Sequence, residues 1–163
     1  MAKSTKELWM ENVFDDFGGL ILNYIKTIVG DAHQAEDVMQ NVFIKLWKTE
    51  IETLSNVKAY VITAARNEAL TYIRKRNKTH LRPIAKECQL FSREENTLRK
   101  MCIEEALLEL PQEQREIVFL KIYAQLTFQK IADTLNIPLN TASSRYRYAM
   151  EKLSQILGEK NHE

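Results

Sequence analysis

The stretch from Leu110 to Leu157 constrains this chain more than any other. It reads LPQEQREIVFLKIYAQLTFQKIADTLNIPLNTASSRYRYAMEKLSQIL, and its apolar period with its punctuation predicts three helices. The first runs from about Gln112 to Tyr123, with Pro111 at a helix-start position and Ile117, Val118, Leu120 and Ile122 apolar. The second follows Thr127, a good N-cap, and presents Phe128, Ile131, Ala132 and Leu135 at i, i+3, i+4 and i+7. Asn136-Ile137-Pro138 then breaks the chain. Asn tolerates a left-handed C-cap, and Pro cannot continue one helix but can begin the next. The third helix carries Ala142, Tyr146, Ala149 and Leu153 on one stripe.

Two short helices joined by a tight turn, the second opening on polar and basic residues, form the pattern of a helix-turn-helix. Ala132 stands where the helices must approach closely, and Ile137 is expected to fill the turn and plug the core. Asn140, Thr141, Ser144, Arg145, Arg147 and Tyr148 cluster toward the first turns of the last helix, the part that enters a major groove. Arg forks to guanine edges or phosphates, and Asn, Ser and Thr both donate and accept. A plain three-helix bundle with a solvated face is the competing reading.

Composition excludes several classes. With 45% hydrophobic and 28% charged residues in 163, the chain is an ordinary globular one, long enough for one domain or two small ones. Four Gly, three Pro and long stretches of helical period predict an all-α protein. No apolar run is long enough to span a bilayer, and the N-terminus lacks the apolar core of a signal peptide, so the expected place is the cytoplasm. Cys88 and Cys102 are too few and too far from any His pair for a zinc site or a disulfide framework, and read as reduced thiols. No Gly-rich phosphate loop, HExxH or nucleophile elbow is present, and His33, His80 and His162 lie far apart. The expectation is no enzyme, no cofactor, no metal and no small-molecule substrate. The net charge of +1 is low for a protein that grips DNA alone, since phosphate contacts dominate such affinity, and points to a larger partner.

In chain order, the first helix is expected from about Glu11 to Val29, with a broad face of Val13, Phe14, Phe17, Leu20, Ile21, Tyr24, Ile25 and Ile28, ended by Gly30. Asp31 with Gln34 resembles a capping box for a second helix over about Ala32 to Lys48. Its buried stripe is Ala35, Val38, Met39, Val42 and Leu46. Glu36, Asp37, Gln40 and Asn41, with Phe43 and Trp47 further on, read either as a docking face for a protein partner or as dipole-favouring acids beside core aromatics. A polar connection, Glu50 to Asn56 with Ser55 as cap, leads to a third helix over about Val57 to Arg76. Its apolar positions are Tyr60, Val61, Ala64, Ala65, Leu70 and Ile73. Arg66, Arg74, Lys75, Arg76, Lys78, Arg82 and Lys86, with His80 among them, make the most one-sided charge segment in the chain. It suits a phosphate-tracking surface, and part of it would favour a helix C-terminus without any ligand. Around Pro83 the period is lost. A linker over 78–93 is therefore expected to join helical domains at 1–77 and 94–163. Ser92 with Glu95 resembles a capping box for a helix through about Glu109, with Leu98, Met101, Cys102, Ala106, Leu107 and Leu110 as its stripe and Cys102 a small core residue.

Three of these segments, in order, resemble the bacterial RNA polymerase sigma factors of the sigma-70 family, extracytoplasmic-function (ECF) group. HQAEDVMQNVFIKLW is similar to the family's AED-x-x-Q-x-x-F-x-x-x-W segment, AYVITAARNEALTYIRKR to its A-R-N helix with a basic end, and the C-terminal stretch to its last DNA-reading domain. The resemblance implies two small helical domains, sigma domain 2 and a helix-turn-helix sigma domain 4, on a flexible linker lying in or near the polymerase active-site channel. It implies that Asp37, Gln40, Asn41, Phe43 and Trp47 dock on core RNA polymerase. It implies that Glu50 to Val57, with Lys58, Tyr60, Arg66, Asn67, Arg74, Lys75 and Arg76, open the −10 element of promoter DNA and hold its non-template strand. The −35 element would be read through Asn140, Thr141, Ser144, Arg145, Arg147 and Tyr148, and an anti-sigma factor would be the regulatory partner.

The chain departs from the family pattern in places. Tyr60 stands where Trp is frequent, Thr71 where an acid is, and Asn41 where Glu is. The recognition helix, commonly T-V-K-S-R-L, is here Thr141-Ala142-Ser143-Ser144-Arg145-Tyr146, which removes a Lys at Ser143 and predicts repacking around Tyr146. A sigma-like decoy that binds polymerase or an anti-sigma factor without opening DNA is the alternative, and has no need of Arg74-Lys75-Arg76 beside Asn67. A free-standing repressor or activator would have to explain the low charge.

Overall fold

The computed structural model describes residues 2–50, 54–79 and 98–160, with the backbone alone for 98–101 and 160. Every regular element among the described residues is helical, and the chain divides into two compact units, Met1–Cys88 and Gln89–Glu163.

The first unit packs α1 (Thr5–Val29), α2 (Ala32–Trp47) and α3 (Val57–Lys78) pairwise against one another. Helix α1 starts six residues before the expected Glu11. A capping box sets its start: Ser4 Oγ accepts from the Glu7 amide at 3.2 Å, and the Ser4 amide donates to Glu7 Oε2 at 2.8 Å. The first two turns bury little, so the apolar period does not reveal them. Gly30 closes the helix in the left-handed region (φ 80°), where a Cβ would be strained. Val13, Ile21, Tyr24, Ile25 and Ile28 are buried as expected, but Phe14 turns out to solvent.

Asp31 caps α2 by accepting from the Gln34 amide at 2.8 Å. The reciprocal half of that box does not form, because the Gln34 side chain accepts from Arg76 instead. The stripe Ala35, Val38, Val42 and Leu46 is buried, with Met39 at its edge. Asn56, not Ser55, caps α3: its Oδ1 accepts from the Ala59 amide at 3.0 Å. The α3 core face is Val61, Ile62, Ala65, Glu68 and Ala69, whereas Tyr60 is exposed and Ala64, Leu70 and Ile73 are half-buried. The phase differs from expectation because the buried face includes a carboxylate, and apolar period does not predict a buried Glu.

The second unit holds α4 (Leu98–Glu109), α5 (Gln112–Val118), a π-helical turn (Phe119–Tyr123), α6 (Phe128–Leu135) and α7 (Leu139–Lys160). Helix α7 is the hub against which α4, α5 and α6 pack. Ala106, Leu107 and Leu110 set the buried face of α4, together with Glu104, and Cys102 faces solvent rather than the core. The Ser92–Glu95 box lies outside the described residues, as do His80, Arg82 and Lys86.

The helix expected from Gln112 to Tyr123 changes character at Val118. The Ala124 amide reaches back five residues to Phe119 O at 3.1 Å, and the Phe119 ring stacks on Tyr123 at 5.2 Å. A π turn carries more residues per turn than an α-helix. Ile122 therefore leaves the stripe of Ile117, Val118 and Leu120 and is exposed. Burial, and then the nearby Glu104 carboxylate, push the Tyr123 hydroxyl above its ordinary range.

The helix-turn-helix forms as its punctuation predicts. Thr127 Oγ1 accepts from the Lys130 amide at 3.2 Å, Asn136 takes the left-handed conformation (φ 54°), and the Ile137 amide returns to Ala132 O at 3.0 Å. Ala132 is buried between the helices, while Ile137 is half-buried rather than a full plug. Tyr146 packs edge-on to Phe128 at 5.5 Å, which is how a ring is accommodated on a stripe otherwise built from Ala142, Ala149 and Leu153. Thr127→Ala is expected to remove the α6 cap and cost about 1 kcal/mol, read as a lower denaturation midpoint of the full chain by circular dichroism.

Candidate functional site

Three surfaces carry the side chains singled out above. The first is the outer face of α2. Asp37, Gln40, Asn41, Ile44 and Trp47 recur at helical spacing opposite the buried stripe, and all are exposed. Ile44 (54% exposed) and Trp47 (45%) are large apolar groups left in water. Ile44 is absent from the set read off the sequence, although it sits one turn before Trp47's own turn and midway along the same face. Phe43 is half-buried and packs edge-on to Phe14 of α1 at 5.5 Å. Lys6 lies 5.7 Å from the Trp47 ring centroid. An exposed apolar band framed by Asp, Gln and Asn is suited to a protein partner, because exposed apolar patches rimmed by polar residues mark interaction surfaces.

The second surface is a groove between the end of α2 and α3. Lys45, Leu46, Tyr60, Thr63, Ala64, Asn67 and Glu68 line a hollow of about 220 Å³. The Tyr60 hydroxyl is 3.2 Å from Thr49 Oγ1, tying the ring to the start of the connecting segment. Thr63 Oγ1 donates to Ala59 O at 2.9 Å, which leaves its lone pairs open. The Glu68 carboxylate pairs with Lys45. Tyr60, Thr63, Asn67 and Arg74 share one stripe of α3, with Arg74 and Lys75 exposed beyond the groove. Lys58 falls in register with the packed positions Ile62, Ala65 and Ala69 and is half-buried, as is Arg66. Arg76 is turned inward: its guanidinium donates to Val29 O at 3.2 Å and Gln34 Oε1 at 3.3 Å. It thereby satisfies a terminal carbonyl of α1 from 47 residues away, a partner that sequence spacing does not reveal.

The third surface is the start of α7. Asn140, Ser144, Arg147 and Tyr148, at i, i+4, i+7 and i+8, lie opposite the buried Ala142, Ala149 and Leu153. Arg147 and Tyr148 are both exposed, and the guanidinium lies 4.8 Å from the Tyr148 ring. Arg145 belongs to the flank. It is 3.4 Å from Glu113 of α5, a carboxylate the sequence reading passes over. Thr141 is half-buried, and Ser143 Oγ donates to Leu139 O at 3.2 Å, within its own helix. Among the described residues no group of His, Cys, Asp and Glu is arranged to hold a metal ion, and no helix is long and apolar enough to cross a membrane.

Comparison with known proteins places both units in recognised modules. The family model Sigma-70 region 2 matches residues 13–79, and Sigma-70, region 4 matches residues 100–153. The ECF RNA polymerase sigma factor SigL of Mycobacterium tuberculosis is 27% identical over 168 residues, covering 97% of this chain and 94% of that protein. The RNA polymerase sigma factor SigZ of Bacillus subtilis is 24% identical over 153 residues, covering 91% and 86%. In fold, the chain is similar to the sigma factor RpoE of Bartonella quintana, solved with the anti-sigma factor NepR, at a TM-score of 0.73 and 21% identity over 91% of this chain and 98% of that one. It is also similar to CnrH, solved with the cytosolic domain of CnrY, at a TM-score of 0.66 and 16% identity over 92% and 88%. Helices α1 to α3 thus form region 2 and α4 to α7 region 4, and the chain belongs to the extracytoplasmic-function group of the sigma-70 family of RNA polymerase sigma factors.

Proposed function

We propose that the protein binds core RNA polymerase in the cytoplasm, directs it to promoters with defined −10 and −35 elements, and opens the DNA at the first. The observation that carries this reading is that both regions stand in one chain, each with its outward face left uncovered by its own unit. The α2 face of Asp37, Gln40, Asn41, Ile44 and Trp47 docks on polymerase, with Phe43 and Phe14 behind it. The groove on α3 takes a base unstacked from the non-template strand, with Tyr60 and Asn67 at its edge and Arg74 and Lys75 along the backbone. Arg66 supports that face from its flank, Lys58 stands in the packed register away from it, and Arg76 acts chiefly by holding α1 and α3 together.

Asn140, Ser144, Arg147 and Tyr148 read the −35 duplex, with Thr141 and Arg145 beside them. Domains 1–77 and 94–163 then act at separate promoter elements, joined through 78–93. The net charge of +1 fits a subunit that relies on polymerase for phosphate grip. An anti-sigma factor that covers these faces is the regulatory partner; the structural relative RpoE was solved in complex with the anti-sigma factor NepR.

The deciding experiment mixes the purified protein with core polymerase and source genomic DNA and maps transcript 5′ ends. Discrete starts sharing two upstream motifs, absent without the protein, are the expected result. Stable binding to core with no new starts would instead mark a decoy. Within the holoenzyme, Arg147→Ala is expected to weaken binding to an intact −35 promoter by about tenfold or more, since a base-reading arginine contributes about 1–3 kcal/mol. A promoter with a scrambled −35 element should be unaffected, as measured by fluorescence anisotropy. Arg145→Ala also lowers −35-dependent binding.

A further inference from the structure

The groove on α3 contains a group that a simple strand-binding surface would avoid. Glu68 is a carboxylate with its side chain only 10% exposed, on the helix proposed above to hold an anionic strand. It is paired with Lys45 of α2, 23 residues away, whose side chain stays 64% exposed. A carboxylate only accepts hydrogen bonds and an ammonium only donates, and Lys45 keeps donors beyond the one given to Glu68. The pair therefore presents an acceptor and a donor side by side in the groove wall. Leu46 and Ala64 supply apolar surface beside it, and the Tyr60 ring stands at the edge. At about 220 Å³ the hollow is smaller than the ~300 Å³ at which drug-sized clefts begin. It suits one planar base.

We infer that the Lys45–Glu68 pair sorts the unstacked base as amino or keto, a specificity role that rests on the base-holding reading of this groove. Adenine and cytosine present an amino donor followed by a ring-nitrogen acceptor on their pairing edge. Guanine and thymine present a carbonyl acceptor followed by a ring N–H donor. The two classes show the same groups in opposite order. Against a fixed donor–acceptor pair in a pocket admitting one approach, one class makes both hydrogen bonds. The other sets carbonyl against carboxylate and N–H against ammonium. Sites built to hydrogen-bond a polar edge discriminate strongly because the mismatch leaves buried groups unpaired.

The test uses reconstituted holoenzyme on a promoter library randomised through the −10 region, with transcripts sequenced. Wild type is expected to show one position with an amino or keto preference. The double exchange Lys45→Glu with Glu68→Lys keeps an ion pair but reverses donor and acceptor, and should invert that preference by about tenfold at that position alone. Glu68→Gln, of nearly the same size, should flatten it, because an amide both donates and accepts. The inference is overturned if the exchanged protein keeps the wild-type preference, or if its output falls evenly across the library, which is what a mere staple between α2 and α3 would give. Should the exchanged pair fail to fold by thermal melt, an undiminished preference in Glu68→Gln overturns it equally. A wild-type arm with no −10-dependent transcripts removes the base-holding reading itself, and this inference with it.

Discussion

Arg115→Met is expected to destabilise the second unit strongly while leaving the first intact. The Arg115 guanidinium gathers three carbonyls at the end of α4. Its Nε donates to Leu107 O at 3.0 Å, and its terminal nitrogen to Leu108 O at 2.9 Å and Leu110 O at 3.0 Å. They lie where the helical ladder of α4 runs out, Leu107 O also taking the Leu110 amide at 3.2 Å, so the arginine both caps α4 and fixes its angle to α5. Hydrogen bonds to a charged group contribute about 1.5–3 kcal/mol each, and three on one side chain do not add fully, so a loss on the order of 3–5 kcal/mol is expected. That is a large share of the ~5–15 kcal/mol that holds a small domain. Lysine should rescue little, since a point charge cannot span three acceptors as a planar fork does.

The sequence supplies a clean readout for this. Both tryptophans, Trp9 and Trp47, lie in the first unit. Circular dichroism sees both units and tryptophan fluorescence sees one. The expected result is a denaturation curve that shifts by circular dichroism and stays put by fluorescence. Curves that shift together would mean that Arg115 matters beyond its own unit, and curves that both stay put would deny it a structural role.

Trp47→Ala is expected to weaken binding to core polymerase by about thirtyfold or more, the effect of losing an aromatic hot spot of about 2 kcal/mol. Its cost to folding should be near the ~0.5 kcal/mol of an ordinary surface change, because almost half of the side chain is already in water. Leu46, one residue earlier and 1% exposed, is the contrast: Leu46→Ala should cost about 2–5 kcal/mol of folding stability. Ile44→Ala should follow Trp47→Ala in direction with a smaller effect. Pull-down on immobilised core, set beside a thermal melt, separates the cases. Equal losses of binding and stability in Trp47→Ala would make it a core residue and remove it from the docking face.

The candidate faces divide along the same physical line as the fold. The α2 face was legible because a helix with one buried stripe of Ala35, Val38, Val42 and Leu46 must present Asp37, Gln40, Asn41 and Trp47 opposite it. Ile44 was missed because an isolated Ile in an apolar-rich helix reads as core until the depth of the stripe is known. At the start of α7, spacing alone grouped Arg145 with Arg147. Only the position of α5, with Glu113 at 3.4 Å, separates the flank from the outer face. Helix ends were legible at Gly30, Thr127 and Asn136, but not at Ser4, whose capped turns bury little, nor at Asn56, which caps α3 in place of the expected Ser55.

What the amino-acid order determined by itself is therefore most of what is decided within about four residues: the helices, the caps at Gly30, Thr127 and Asn136, the Asn136-Ile137-Pro138 turn and the apolar stripes that drive two small bundles. What the tertiary structure alone decided is where long side chains find partners across the bundle. Arg76 reaches back to Val29, Arg115 to the end of α4, and Lys45 to Glu68. It also decided which apolar groups stay out, Phe14, Ile122 and the Cys102 thiol among them. The reason is energetic. Local hydrogen bonds and helical spacing are set by backbone geometry that adjacent residues share, whereas burying a charge is favourable only where an opposite group, distant in the chain, is brought within hydrogen-bond reach.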